Sequence, residues 1–450
     1  MPESPRSGLD AGELRALVAA RDWPRAVQLA AALHPSDLAD ELRELPSSDR
    51  VAFLGRLPSD IIAGLFGETA DADLPGLARE VGLERLPAVL DEAGDHVAAD
   101  VIQHLEPGEQ ERTLDELAEP EGVAELLRYG PESAGGIMRR DFVAVRDDKT
   151  AGEAINDLRL LQPAADRTYY IYAVDHEGRL TGVLSLRDLI VAQPTVQVAE
   201  IASHDVRAVD VTVDQEEAAR TLQRYGLRAL PVVSGDGVLA GVITAEDVVD
   251  VVQEEATEDM YRMVGLEEQE TVLSPVRKSL RRRIPWLMVN LATAFLAALV
   301  VAPFEGTIER VGLLAAFMPI IAGHAGNTGT QVATLVVRGI ALGEVSFADA
   351  FTIIRKEVAF GVVHGALAGT LTAALAIVLS LNPWLGGVVM AALVLNVILA
   401  GVMGAVIPLG IKRLGGDPAL AAAIWLTTIT DVLGFLMLLG FGALLVSRLS

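Results

Sequence analysis

The 450-residue chain contains no cysteine, which excludes disulfide staples and thiolate metal sites. Its C-terminal part is nearly free of charge: residues 284–450 hold seven acids and seven bases, a net of zero. Residues 1–283 hold 54 Asp and Glu against 29 Lys and Arg, so the whole net charge of −25 belongs to them. That balance excludes nucleic acid as a partner, because phosphate contacts need clustered Lys and Arg. It suits cations, although acidity also serves solubility alone. The N-terminal "MPESPRSGLDAGELR" has no apolar run, so the expectation is that residues 1–283 do not leave the cell behind a cleaved leader. There is no nucleophile–base set and no phosphate loop, and an enzyme reading has nothing to rest on.

Five long apolar runs lie within the uncharged part, at 284–304, 311–337, 358–381, 384–411 and 419–447. Each has the roughly 20 residues needed to cross a hydrocarbon core of about 30 Å. The basic "RKSLRRR" (277–283) marks the cytoplasmic side of the first run. Arg338, Arg355 and Lys356 follow the second run, and Lys412 and Arg413 follow the fourth. An odd number of spans then leaves the N-terminus in the cytoplasm and the C-terminus outside the cell (inner) membrane.

Inside these runs the only acid is Asp431, in "WLTTITDVLGFLML" (425–438), and there is no Lys or Arg. A carboxylate at mid-membrane costs about 3 kcal/mol on insertion scales, and such residues generally serve function. Thr427, Thr428 and Thr430 add oxygens beside it. One reading makes Asp431 a cation ligand; the other makes it a buried acid bonded to threonines or to another span. In the second run, Pro319 leaves the Ala315 carbonyl without its helical partner, and Pro408 does the same to Gly404 in the fourth. Gly323, Gly326 and Gly329 suggest close helix contact, and Asn327, Thr328, Thr330 and Gln331 supply neutral polar groups. These residues either line a pore or brace helices. Asn290, Asn396 and His364 are too isolated to assign.

Residues 136–252 contain a repeat of period 59, "EGRLTGVLSLRDLI" (177–190) matching "DGVLAGVITAEDVV" (236–249). Each copy predicts strand, helix, strand–turn–strand, helix. The pair resembles tandem CBS (cystathionine-β-synthase-type) domains, which commonly bind adenine nucleotides, although many serve only as dimerisation scaffolds. The resemblance implies that Asp188 with Ser185, or Asp247 with Thr244, meets a ribose. ATP is the candidate ligand, with Arg187 available for phosphate and Tyr170 for the adenine face. Upstream, Pro at "HPSDLADELREL", "PSSDRVAFLGRL" and "PSDIIAGLF" punctuates short amphipathic helices and predicts a solenoid-like stack. His34, His96 and His104 lack ligand spacing and are expected at caps or on the surface.

Between the repeat and the first run lies "AEDVVDVVQEEATEDMYRMVG" (245–265). At about 100° per residue, Asp247, Asp250, Glu254 and Glu258 share an arc of about 80°, flanked by Glu255 and Asp259. Val249, Val252, Ala256, Met260 and Met263 take the other side. Like charges at i,i+4 destabilise a helix, so the stripe suits cations, or it is a solvated face.

"MPIIAGHAGNTGTQVATLVVRGIALGEV" (318–345), "RKEVAFGVVHG" (355–365) and "GGDPALAAAIWLTTITDVLGF" (415–435) closely resemble the MgtE family of magnesium channels. The expected fold is therefore a multidomain membrane protein. It comprises an all-α N-terminal stack (1–130), an α/β CBS pair (131–252), an acidic connecting helix and basic segment (245–280), and a five-helix membrane domain (281–450). The family implies a homodimer in lipid, with Mg²⁺ carried along the two-fold axis and Mg²⁺ at the cytoplasmic domains closing the pore. On that reading the metal residues are Asp431, the stripe Asp247, Asp250, Glu254, Glu255, Glu258 and Asp259, and Asp95 and Asp100 as N-domain partners. Two departures stand out: Ala422, Ala423 and Ile424 replace the usual Ser-Gly-Pro, and His324–Ala325 precede "GN" where Gly is usual. The alternative is a proton- or sodium-coupled divalent cation carrier that uses Asp431 as its protonation site.

Overall fold

The computed structural model describes residues 12–69, 73–161, 170–266, 270, 272, 274 and 276–449, except for the side chains of 420–423. Its packing divides the chain into two units, Met1–Glu255 and Ala256–Ser450.

In the first unit, ten short helices between Glu13 and Leu126 are seen among the described residues. Helices of five to nine residues are unstable alone, and these share one core built on Leu38, Phe53, Ile62, Leu65, Leu86 and Ile102. Pro35 opens the helix Pro35–Arg43, as the sequence predicts. Pro46 and Pro58 instead sit one residue earlier, at the N-caps of Ser47–Leu54 and Ser59–Gly67, with extended ψ of 140° and 152°. The fixed φ of proline suits that extended cap as well as it suits a first turn. His34 is itself a cap, its Nδ1 accepting from the Ser36 N–H at 3.3 Å. His104 Nδ1 lies 2.7 Å from the Asp100 carbonyl, to which it donates at the end of the helix Asp95–Gln103.

The repeat folds as two small sheets of identical plan. Strands β1 (Val143–Arg146), β2 (Tyr170–Val174) and β3 (Leu180–Ser185) form the first, and β4 (Val209–Asp210), β5 (Ala229–Val233) and β6 (Leu239–Thr244) the second. In each the first strand runs parallel to the second, and the second antiparallel to the third. Even the irregularity repeats: the register shifts at Ala173/Val174 and again at Val232/Val233, 59 residues on. Gly178 and Gly237, both at φ +80°, turn the two hairpins where a side chain would be strained. The faces of the two sheets meet through Tyr172, Ala229, Leu239 and Val242.

The connecting helix runs from Ala245 to Met263, within the stretch 245–265 read from the sequence. Gly265 ends it at φ +74°, and the Trp286 ring lies where a Cβ would be. The basic residues 277–283 belong to the next helix, Val276–Val301.

Among the described residues that helix is the first of five long ones, followed by Leu313–Ala341, Ala350–Ser380, Pro383–Arg413 and Pro418–Leu444. The fourth is central, packing on the second, third and fifth. Its Val389, Leu393 and Val397 meet Phe317 and Ile321 of the second in the core. Four of the five are apolar and long enough to cross a membrane among the described residues. The second is not among them: it has 29 residues, but "HAGNTGTQ" at its centre lowers its mean hydropathy. The polar content that makes it interesting also removes the simplest sign of a span.

Candidate ion pathway and control sites

Asp431 lies halfway along the fifth long helix and is half-buried. Among the described residues it has no hydrogen-bond or ion-pair partner. The threonines beside it bond elsewhere. Thr430 is wholly buried and donates to the Leu426 and Thr427 carbonyls, each at 3.0 Å, and Thr428 donates to Ile424 at 2.7 Å. A hydroxyl that gives its proton to its own helix keeps lone pairs for another donor; the partly exposed Thr428 can offer them to a hydrated cation, whereas the wholly buried Thr430 faces protein.

A buried amide that sequence reasoning left unassigned positions this helix. Asn396, fully buried, donates Nδ2 to the carbonyls of Thr430 and Ile321. Gly434 makes room for it, since a Cβ there would lie 2.4 Å from Nδ2.

The helix crossings also differ from the sequence expectation. Of Gly323, Gly326 and Gly329, only Gly329 meets a neighbour, the Leu426 side chain; nothing among the described residues approaches the other two within 4 Å. Steps of three residues turn the position about 60° back around a helix, so the three glycines face different ways. Gly361, Gly365 and Gly369 step by four and keep nearly one face. A Cβ on Gly361 would stand 2.9 Å from the Ile398 Cα, and one on Gly365 3.1 Å from the Val394 Cα. The G-x-x-x-G-x-x-x-G spacing was the available signal. Gly404, whose carbonyl Pro408 leaves unpaired, sits at another crossing, where a Cβ would be 2.6 Å from the Gly329 carbonyl oxygen.

On the connecting helix the acids have different partners. Asp247 is already engaged: Oδ2 accepts from the Thr244 N–H and hydroxyl, each at 2.7 Å, and Oδ1 from Arg139 Nε at 2.7 Å. Glu255 accepts from Gln215 Nε2 at 2.6 Å. Burial pushes its carboxyl above the usual range against that bond, and Glu216, Asp214 and Glu132 push the same way. Glu258 is buried and pairs with Arg262, which reaches Asp417 Oδ2 at 2.7 Å. Asp417 is the N-cap of the fifth long helix. Asp250, Glu254 and Asp259 lie on the same helix and have contacts of their own. Val249, Val252 and Met260 on its other face are exposed, whereas Val248 and Val251 enter the core. Asp95 opens the helix Asp95–Gln103, its carboxylate lying against the backbone of Gly122, and Asp100 is one turn further along. Within the described residues of one chain, no three His, Asp or Glu side chains come together as a metal cage.

The four nucleotide candidates do come together. Tyr170 and Ser185 are directly paired across β2 and β3, and Arg187 and Asp188 begin the helix Leu186–Val191. Directly paired residues on antiparallel strands carry neighbouring side chains. Ser185 and Asp188 cap that helix reciprocally, and the Ser185 hydroxyl and N–H hold the Asp188 carboxyl below the usual range. Thr244 and Asp247 repeat the arrangement 59 residues on.

Comparison with known proteins gives three family matches. A divalent cation transporter domain of the MgtE type matches residues 318–441, CBS domains match 134–194 and 198–254, and the MgtE intracellular N domain matches 33–132. The magnesium transporter MgtE of Thermus thermophilus is 36% identical over 92% of this chain and 93% of its own length. That of Bacillus subtilis is 30% identical over 93% of each chain. The crystal structure of the cytosolic domain of the Mg²⁺ channel MgtE in complex with ATP is 37% identical, covers 54% of this chain and 99% of that one, and superposes with a TM-score of 0.50.

Proposed function

The chain belongs to the MgtE family of magnesium transporters, and from that premise we propose that it conducts Mg²⁺ as a homodimer through a path centred on Asp431. Its function is that of a membrane magnesium channel or transporter. Asp431 carries the finer reading: it is an intramembrane carboxylate with no partner among the described residues, on a helix located by Asn396. Two copies facing each other across a two-fold axis carry a charge of −2, which one divalent cation neutralises. Mg²⁺ sheds water reluctantly and prefers oxygen ligands, so contact runs through its hydration shell, with threonine oxygens alongside. The basic residues 277–283 support a cytoplasmic N-terminus, and five crossings would leave the C-terminus outside.

Cytoplasmic Mg²⁺ closes the path on this reading. The stripe presents hard oxygen donors, and Glu255 is already crowded by Glu216, Asp214 and Glu132. Asp250, Glu254 and Glu255 would hold the ion with Asp95 and Asp100 of the N domain, and Glu258 and Asp259 are the further candidates along the helix; Asp247 and Glu258 join only by sharing their carboxylates with Arg139 and Arg262. Bound there, the ion supplies positive charge that relieves the crowded carboxylates. Moving a channel from mostly open to mostly closed takes about 5.5 kcal/mol of differential binding, which four sites of about 1.4 kcal/mol each provide.

ATP is the proposed ligand of the first CBS copy. Tyr170 and Ser185 are paired across the sheet there, next to Arg187 and Asp188. Calorimetry on the full chain tests this: Asp188→Ala should weaken ATP binding, and unchanged binding rejects the site.

Flux into liposomes at varied Mg²⁺ on the cytoplasmic face tests the whole reading. Mg²⁺ should enter without a proton or sodium gradient, and high cytoplasmic Mg²⁺ should stop it. Asp250→Asn with Glu254→Gln leaves the Glu258–Arg262–Asp417 chain intact and should keep flux open at high Mg²⁺. Unchanged inhibition in that double variant rejects the stripe as the control site, and flux that requires a proton or sodium gradient favours the coupled carrier.

A further inference from the structure

His324 on the second long helix and His364 on the third face each other with Nε2 atoms 3.2 Å apart and ring centroids 4.8 Å apart. Each is near the middle of its helix, about 17–21 Å from the N-terminal end at 1.5 Å per residue. Both helices pack on the fourth. Phe360, one turn before His364, packs against its ring at 5.3 Å. His364 Nδ1 is buried without a partner among the described residues.

Two adjacent imidazole nitrogens are a different donor set from the carboxylate and hydroxyl oxygens of the fifth long helix. Mg²⁺ prefers oxygen ligands, whereas imidazole suits zinc, nickel and cobalt. Nitrogens about 2.05 Å from one ion lie about 3.3 Å apart at a tetrahedral angle and about 2.9 Å apart at a right angle. The observed 3.2 Å falls between these values. The two nitrogens are thus already at the separation that one shared ion requires.

We propose that His324 and His364 form a two-nitrogen site for a borderline transition cation of the Zn²⁺, Ni²⁺ or Co²⁺ class. Water fills the remaining coordination positions, because no third His, Asp or Glu among the described residues joins the pair. The ion links the second and third long helices, whereas Asp431 is on the fifth. The inference does not depend on how Mg²⁺ crosses the membrane.

The purified full-length chain, stripped by chelator, is titrated with Co²⁺ and Zn²⁺ as the metals alone. Co²⁺ should produce the visible absorption of a nitrogen-ligated ion, displaced by Zn²⁺ and not by excess Mg²⁺. His324→Gln and His364→Gln should each weaken binding at least about tenfold, since even losing a supporting residue of a metal site costs 10–100-fold. Asp431→Asn should leave the signal intact. An unchanged titration in the double histidine variant overturns the site, as does loss of the signal in Asp431→Asn. If the histidine variants fail to assemble, anomalous diffraction from a Zn²⁺-soaked crystal of the unaltered chain decides. An ion between the two rings supports the site, and no ion there rejects it, leaving a plain N–H···N bond between neutral imidazoles.

Discussion

Asn396 donates from Nδ2 to the carbonyl oxygen of Thr430 at 3.1 Å, one residue before the membrane carboxylate. A second bond, at 3.3 Å to Ile321, makes this amide a tie between the second, fourth and fifth long helices. Side-chain hydrogen bonds inside a membrane contribute about 0.6 kcal/mol on average and up to about 1.7. Asn396→Leu keeps the volume and removes both bonds. It should lower thermal stability by about 1–2 kcal/mol and reduce Mg²⁺ flux by more than the loss of assembled protein explains. Gly434→Ala should act in the same direction, because its Cβ would drive Asn396 away. Normal flux per assembled protein in both variants would show that the amide does not position Asp431.

The glycines offer a contrast between two spacings. Gly365→Val places a branched side chain against the Val394 backbone, at a position where Cβ alone already stands 3.1 Å from Cα. The third and fourth long helices must part, and overpacking of this kind costs about 1–3 kcal/mol. Gly323→Ala and Gly326→Ala meet nothing within 4 Å among the described residues. They should leave stability unchanged or raise it by up to about 1 kcal/mol, as alanine does in a helix. Thermal melts of the three variants in detergent check the ordering. Equal loss in all three would place Gly323 and Gly326 at contacts with a second copy.

Much of this fold was legible in the sequence because it is periodic. The 59-residue repeat located both sheets, and Pro35, Pro46 and Pro58 marked the starts of three helices in the N-terminal stack. What escaped depended on which residues meet. Nothing near Asn396 in sequence says that it reaches Thr430, because its partners are backbone carbonyls 34 and 75 residues away. Asp247 read as part of an acidic stripe, yet its nearest cation is Arg139, 108 residues earlier. Helical phase puts it with Asp250 and Glu254; tertiary packing gives it a private partner. His324 and His364 looked unrelated for the same reason.

Glu255 gives a pH-dependent test. Its carboxyl is raised, first by burial, then by Glu216, Asp214 and Glu132, while the Gln215 bond opposes them. A folded-state pKa above the ordinary value means that the folded protein holds this proton more tightly than the unfolded chain does. The cost is therefore absent below the ordinary value near 4.5, grows as pH rises through the raised one, and persists above it. Glu255→Gln retains an acceptor for Gln215 and removes the charge. In chelator at pH 7.5 the variant should melt higher than wild type, and at pH 4 the difference should vanish. Saturating Mg²⁺ should also shrink it, if the ion relieves the same carboxylates. A difference that does not change with pH would trace the effect to packing.

Asp431 is the most exacting case, since on the proposed reading it is tolerated in the membrane and still discriminates between ions. In the proposed dimer, two carboxylates across the axis would gain far more from a +2 ion than from a +1 ion, because the Coulomb energy scales with ionic charge. Asp431→Asn keeps the size and loses the charge. No protein bond to Asp431 among the described residues is broken by that change, so assembly should survive. Mg²⁺ flux should fall at least about tenfold, the equivalent of about 1.4 kcal/mol, or monovalent ions should begin to pass. Asp431→Glu restores the charge but moves the oxygens by one methylene in a site of fixed width, and should recover flux only in part. The coupled-carrier alternative differs in one respect: an aspartate that must bind and release a proton would make wild-type flux follow the pH gradient. Liposomes with equal and unequal pH on their two faces separate the two mechanisms. A well-assembled Asp431→Asn protein with wild-type flux and selectivity would remove Asp431 from the path altogether.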